Sequence, residues 1–247
     1  MTKPRSLLAR LGKRVSLRRL ERDDRGVAAV EFALLLPLMI TLYLGSTEIT
    51  QGVLASRKMA IVSRTLSDIT AQQPTATTSP CTVAGLCDST MTSIFSAASV
   101  IMSPFSVAAM TDGTSMLTMT ISGVSFVANA TPGTYVYNGY EAQVKWSKIA
   151  ASPNAGTARS CQTKPLPVAS TVAPALTNLP NGLYGSGSLI VADVTYKYLP
   201  TFGQSFLAWS SSATYISMSN TTYMRPRNWT TYILYPGQSG VGTGCTG

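Results

Sequence analysis

The sequence predicts an α+β protein in which an N-terminal transmembrane helix extends into an amphipathic helix that packs on an antiparallel β-sheet. Two patterns support this class: an apolar run that continues as a helical pattern through residues 27–73, and alternating apolar and polar residues that recur after residue 115. Hydrophobic residues make up 45% of the chain and charged residues 12%, which argues against a disordered chain or a typical soluble cytosolic domain.

Residues 1–26 are expected to form a basic cytoplasmic leader. Residues 1–25 carry nine Lys and Arg against three acids, which accounts for +6 of the net charge of +9. The remaining residues show no dense basic face and no interleaved arginines and aromatics, so we do not expect nucleic acid as a partner. The positive-inside rule places the leader in the cytoplasm and the chain from about residue 48 onward in the periplasm or outside the cell.

Residues 27–47 are predicted to be the transmembrane helix, because 21 helical residues span about 30 Å, the thickness of a bilayer core. Glu31 is the only charged side chain in this span. A cleavable secretory signal is the rival interpretation, but its charged region would be unusually long and residues 45–47 lack a clear A-x-A pattern. Arg18 and Arg19 form a twin-arginine pair, yet the apolar run starts too late for such an export signal.

Gly26 directly precedes Val27, and Glu31 is the fifth residue counted from Val27, with Phe32 next. The pattern G-x-x-x-x-E-F resembles the prepilin cleavage motif of type IV pilins, and RGVAAVEFALLLPLMITLYLG resembles the TadE-like pseudopilins of tight-adherence (Tad) pili. The resemblance implies a pilin-like fold and a role in pilus assembly and surface adhesion. It implies cleavage between Gly26 and Val27 by a prepilin peptidase. It also implies the inner membrane, other Tad pilus subunits and the assembly machinery as partners.

Glu31 raises a physical question, because a carboxylate within an apolar span costs up to roughly 3 kcal/mol. The free amine of Val27, on the same or an adjacent subunit, could compensate that charge and fix the register of stacked helices. Glu31 and Phe32 are therefore assembly candidates. In the alternative interpretation, Glu31 merely reaches the cytoplasmic interface. Pro37 is predicted to kink the helix, since proline removes a backbone hydrogen bond.

Residues 48–73 are predicted to continue as an extracytoplasmic helix. Apolar residues at helical spacing form one stripe, comprising Ala55, Met59, Val62, Leu66 and Ile69. We expect this stripe to pack on the protein's own C-terminal domain. The helix should end near Gln72 or Gln73, because prolines and hydroxyl residues follow. Residues 74–114 are then expected to be a disulfide-containing linker.

Residues 115–247 are predicted to form a β-rich extracytoplasmic domain. Alternation predicts four strands, at residues 115–128, 140–149, 188–199 and 214–224. Gly123 shifts the phase of the first strand and predicts a β-bulge. Residues 150–186, rich in Pro, Ala, Ser and Thr, are expected to include a long surface loop. The stretches VADVTYKYLPTF and SNTTYMRPRNW resemble the closing strand pair of Tad-type pseudopilins.

The four cysteines all follow the predicted span. An even number outside the cytoplasm favours disulfides, and four cysteines allow three connectivities. Cys81 and Cys87 are close in sequence, so we predict that they pair and that Cys161 pairs with Cys245. A metal site is not expected, because the chain has no histidine and no C-x-x-C.

No catalytic residues and no cofactor are predicted, and we do not expect an enzyme. Without histidine there is no Ser-His or Cys-His pair, and no phosphate-binding glycine motif opens a helix. Two functions are compared: a processed pseudopilin of a Tad pilus, and an unprocessed single-pass envelope protein whose β-rich domain binds a partner.

Overall fold

The computed structural model describes residues 26–73, 86, 88–129, 131–202 and 215–227. The chain divides into two compact units, Met1–Ile49 and Thr50–Gly247. Helix α1 (Val27–Gln72) runs through the described part of the first unit and ends in the second. Its end at Gln72 confirms the predicted helix stop, which precedes the proline at position 74. The leader at residues 1–25 lies outside the described residues.

The second unit is built on a five-stranded sheet. Its strands are β1 (Leu117–Ala128), β2 (Val136–Tyr137), β3 (Tyr140–Ile149), β6 (Ser188–Tyr198) and β7 (Ile216–Met224). They follow the order β2-β3-β1-β6-β7 across the sheet, and all neighbouring pairs are antiparallel. Strands β1, β3, β6 and β7 are the four predicted from alternation. The predicted α+β class is confirmed.

The first face of the sheet, called here the helix face, carries side chains such as Met119, Ile121, Ala192 and Val194. Helix α1 packs on it through the predicted stripe: Ala55, Met59, Val62 and Leu66 are buried, and Ile69 is partly buried. This agrees with the expectation that the stripe packs on its own domain. Ser63 adds polar contacts, since its hydroxyl lies 3.3 Å from the Ala192 carbonyl and 2.6 Å from the Thr222 hydroxyl.

A second helix, α2 (Asp88–Met102), lies within the segment 74–114, where only a linker was expected. Its buried apolar residues recur every three or four positions: Met91, Ile94, Phe95, Ala98 and Met102. They join the core on the helix face. The stretch contains neither glycine nor proline, so nothing in it opposes a helix. Lys58 donates to the carbonyls of Ile101 and Ser103 at 3.0 and 2.5 Å, placing a cation at the C-terminus of α2.

The pairing register of β1 with β3 shifts between Gly123 and Val124, at the position predicted for a bulge in the first strand, but the extra residue lies on the partner strand. Gly123 pairs with Trp146 and Val124 with Val144, so Lys145 of β3 is the extra residue. A Cβ atom added at Gly123 would lie 2.1 Å from Nε1 of Trp146. Glycine is therefore required here by the close approach of the indole ring.

The other face of the sheet, called here the opposite face, is partly covered by residues 150–186. This segment was expected to include a long surface loop, but it also contains β4 (Leu166–Val168) and β5 (Asn178–Pro180), which pair in parallel. Leu179 and Tyr184 from it are buried against the apolar side chains of Val124, Val144, Leu189 and Val191. The segment packs against the sheet because these apolar side chains would otherwise face water.

Candidate functional site

The apolar part of α1 in the first unit is the candidate functional site. Every residue from 26 to 43 is exposed, including large apolar side chains such as Leu34 at 74% and Phe32 at 66%. The most apolar window of the helix has a mean hydropathy of 2.1, and none of that window is buried. A continuous apolar surface of this size is unfavourable in water, so it fits a bilayer or a bundle of other helices. The helix thus fits a single-pass membrane anchor.

Glu31 lies in the second turn of this helix, four residues after Val27. Residues four apart lie on the same face, so Val27 and Glu31 are neighbours on the helix surface. Glu31 makes no hydrogen bond or ion pair with any residue that the structure describes. Its carboxylate is therefore available to a group outside the described part of this chain.

Gly26 immediately precedes the helix, and an added Cβ atom there would meet nothing within 4 Å. The fold of the described residues therefore does not require glycine at this position. Cleavage between Gly26 and Val27 stays a prediction.

Pro37 lies inside the helix, which nevertheless continues on both sides of it. The Thr41 hydroxyl donates to the Pro37 carbonyl. The hydroxyls of Ser46 and Thr47 donate to the carbonyls of Tyr43 and Leu44, each at 2.8 Å. Hydroxyls that bond to their own helix keep polar atoms satisfied in a lipid environment. A kink at Pro37 stays a prediction.

Cys161 is disulfide-bonded. The other three cysteines, Cys81, Cys87 and Cys245, lie outside the described residues, so both predicted pairings stay predictions. Within the described residues there is no group of three or more His, Cys, Asp or Glu side chains that could hold a metal ion.

Sequence reasoning missed the polar contact that holds residues 150–186 on the sheet. Arg159, which has a fully buried side chain, forms an ion pair with Asp193 of β6. Thr221 of β7 donates to the same carboxylate at 2.8 Å. Asp193 occupies a polar position in the alternating pattern of a predicted strand, and this position could have indicated a polar contact. Arg159 lies in a stretch without periodicity, so no sequence pattern indicated its role.

Residues 26–65 match the TadE-like protein family. The match covers the apolar part of α1 together with Gly26, Glu31 and Pro37, and it confirms the resemblance to TadE-like proteins. No curated protein matches the chain. No solved structure matches it either.

Proposed function

We propose that this chain, whose N-terminal helix matches the TadE-like family, is a pseudopilin that takes part in assembling a Tad pilus used for surface adhesion. The observation that carries the proposal is the exposed apolar helix, which begins directly after Gly26 and presents Glu31 four residues beyond Val27. A prepilin peptidase cuts after Gly26, and residues 27–47 hold the mature protein in the inner membrane until it is taken up. Its partners are the peptidase, other pilus subunits and the assembly machinery.

The orientation proposed here places the leader in the cytoplasm and the second unit in the periplasm or outside the cell. The nine Lys and Arg of residues 1–25 support it, because such clusters stay on the cytoplasmic side. The disulfide at Cys161 supports it independently, because disulfides persist in oxidising compartments and are rare in the cytosol.

The experiment that tests this function is a measurement of the mature N-terminus. Protein extracted from membranes of a strain with a Tad system should have an intact mass corresponding to a chain that starts at Val27. Gly26→Val should abolish the cut, because a prepilin peptidase accepts only a very small residue before the bond it breaks. Since a side chain at position 26 meets nothing in the fold, loss of cutting would report on the peptidase.

Gly45→Val is the matched control. Gly45 lies in the same helix and also has nothing within 4 Å of an added Cβ atom, so this variant should be cut like the wild type. A chain that retains Met1 would favour the alternative function, an unprocessed single-pass envelope protein whose β-rich domain binds a partner. A start close to residue 45 would contradict the pseudopilin and indicate a secretory signal.

A further inference from the structure

We propose that the opposite face of the sheet binds a neutral carbohydrate, one sugar ring at a time, in a groove between the strands and residues 156–157 and 173–176. The groove lies wholly within the second unit. The proposal does not depend on the pilus function, because it uses only the side chains that line this groove.

Two rows of polar side chains cross strands β1, β6 and β7 at the base of the groove. The pairing register defines the rows as Thr118, Thr195 and Ser219, and Thr120, Asp193 and Thr221. Neighbours within a row are about 4.8 Å apart, and the rows are about 6.7 Å apart along the strands. Neighbouring side chains of one row are therefore close enough to contact the same bound sugar ring.

The hydroxyls of the first row are available to a ligand. The side-chain hydroxyls of Thr118, Thr195 and Ser219 have no hydrogen-bond partner among the residues that the structure describes. In the second row, by contrast, Thr120 donates to the carbonyl of Thr157 at 3.1 Å and Thr221 donates to Asp193. The second row is therefore structural, and the first row is left for a bound molecule or water.

The charge in the groove favours an uncharged ligand. Asp193 is the one ionisable side chain among the described lining residues, and Arg159 already neutralises it through two hydrogen bonds. Hydroxyls both donate and accept, which suits a polyol. The threonine methyls, together with Ala173 and Pro174 on the wall, offer apolar contact to the C–H surface of a sugar. Threonine is stiff at χ1, so little side-chain freedom is lost on binding.

The size of the groove limits what enters. Its volume is about 280 Å³, close to the lower end of the roughly 300–1,000 Å³ usual for small-molecule sites. One sugar ring fits this space, and the neighbouring rings of a polymer would lie outside it.

The test uses the full-length protein in lipid nanodiscs and saturation-transfer NMR. The probes are cellotriose, maltotriose and tri-N-acetylchitotriose at millimolar concentration, with trigalacturonic acid as the charged comparison. At least one neutral probe should give a saturation-transfer signal in the presence of the protein, and trigalacturonic acid should bind more weakly than that probe. The double variant Thr195→Val and Ser219→Ala should weaken binding by about tenfold or more, because two hydrogen bonds are lost with little change in shape.

Two further variants keep the test decisive. Thr118→Val removes the remaining hydroxyl of the row and should also weaken binding, whereas Thr134→Val, on an exposed turn outside the groove, should not. All variants should keep the wild-type unfolding temperature. Absence of saturation on every neutral probe would overturn the proposal, as would tighter binding of trigalacturonic acid or unchanged binding by the double variant and Thr118→Val.

Discussion

Arg159 and Asp193 form a two-point ion pair across 34 residues of sequence: Nε donates to Oδ2 at 2.9 Å and Nη2 to Oδ1 at 3.0 Å. The remaining Nη1 group donates to the carbonyls of Ala175 and Leu176 at 3.1 and 2.9 Å. The Arg159 side chain has no exposed surface and that of Asp193 is 17% exposed. One guanidinium therefore joins two parts of the connection between β3 and β6, at residues 159 and 175–176, to strand β6.

Removing one partner of this pair should be strongly destabilising. Arg159→Met keeps an apolar stem but leaves the Asp193 carboxylate without its counter-charge and two backbone carbonyls without a donor. We expect the free energy of unfolding to fall by about 3–5 kcal/mol. Chemical denaturation of the full-length protein, followed by circular dichroism, measures the change.

The control for Arg159→Met is Arg227→Met. Arg227 pairs with Asp68 at 2.7 Å, but the two side chains are 59% and 38% exposed. Solvent screens this exposed pair, so its loss should cost less than about 1 kcal/mol. Equal costs for the two variants would show that the buried pair contributes no more than a surface contact.

Gly123 and Trp146 give a second prediction. Gly123→Ala should destabilise the protein by about 1–3 kcal/mol, because the new Cβ atom would overlap a buried indole ring and force side chains out of their rotamers. The denaturation midpoint measures the loss. Gly133→Ala should be close to neutral, since an added Cβ atom there meets nothing within 4 Å.

A double-mutant cycle shows whether the ring is the cause. If it is, Gly123→Ala should cost less in a Trp146→Leu background than in the wild type. The same cost in both backgrounds would mean that the strain arises in the backbone of the bulge and not at the ring.

The sequence predicted those parts of the fold in which apolar residues recur at a regular spacing. Alternation located β1, β3, β6 and β7, because each strand buries its alternate side chains on a sheet. The change of apolar phase at Gly123 gave the position of the bulge but not its strand, since the extra residue is Lys145 of β3. Helical spacing also located the part of α1 that packs on the domain. The same apolar spacing is present in α2, where only a linker was expected.

The rest depended on contacts between distant residues. The side chain of Arg159 is buried only because Asp193 and two carbonyls converge on it, and no local pattern around residue 159 encodes that convergence. The hydroxyl row of the groove exists only through the pairing register of three strands. The motif at the N-terminal site could be recognised from the sequence alone, because Gly26, Val27 and Glu31 lie close together in it.

Tyr184 predicts sensitivity to alkaline pH. Burial raises the pKa of its phenol well above the usual 10, and the hydroxyl donates to the Pro165 carbonyl at 2.6 Å. Above pH 10 the unfolded chain loses this proton while the folded protein keeps it. The free energy of unfolding should therefore be unaffected by this group below pH 10 and should fall above it, by about 1.4 kcal/mol per pH unit.

Tyr184→Phe separates the two contributions of the hydroxyl. At neutral pH the variant should be less stable by about 1 kcal/mol, because the hydrogen bond is lost. Above pH 10 its stability should decline less steeply than that of the wild type. Tyr135→Phe, at an exposed tyrosine, should leave the slope unchanged. Parallel pH profiles for Tyr184→Phe and the wild type would contradict the prediction.

The cysteines give a prediction about connectivity. Exported protein should show no reactive thiol under non-reducing conditions, with Cys161 joined to Cys245 and Cys81 joined to Cys87. Peptide mapping by mass spectrometry after non-reducing digestion identifies the pairs. A link between Cys161 and Cys87 would refute the pairing but keep the export argument, whereas a fully reduced protein would contradict the proposed orientation.

Glu31 gives the prediction closest to the proposed function. If its carboxylate meets the free amine of Val27 on the same or a neighbouring subunit, Glu31→Ala should insert and be processed normally, but should be depleted from pili. The substitution makes the span more apolar, so a simple anchor would be retained as well or better. An assembling helix instead loses the contact that fixes its register and leaves the amine uncompensated.

The measurement compares Glu31→Ala with the wild type in one strain for membrane retention, mature N-terminus and recovery in sheared pili. Glu48→Gln is the matched control, since it removes a carboxylate from the same helix beyond the predicted span at residues 27–47. Folding of the second unit should not change, because Glu31 lies in the first unit and bonds to none of the described residues. Normal pili with wild-type amounts of the variant would show that Glu31 only sits at the membrane interface, and the register role would then be wrong even if cleavage after Gly26 is demonstrated.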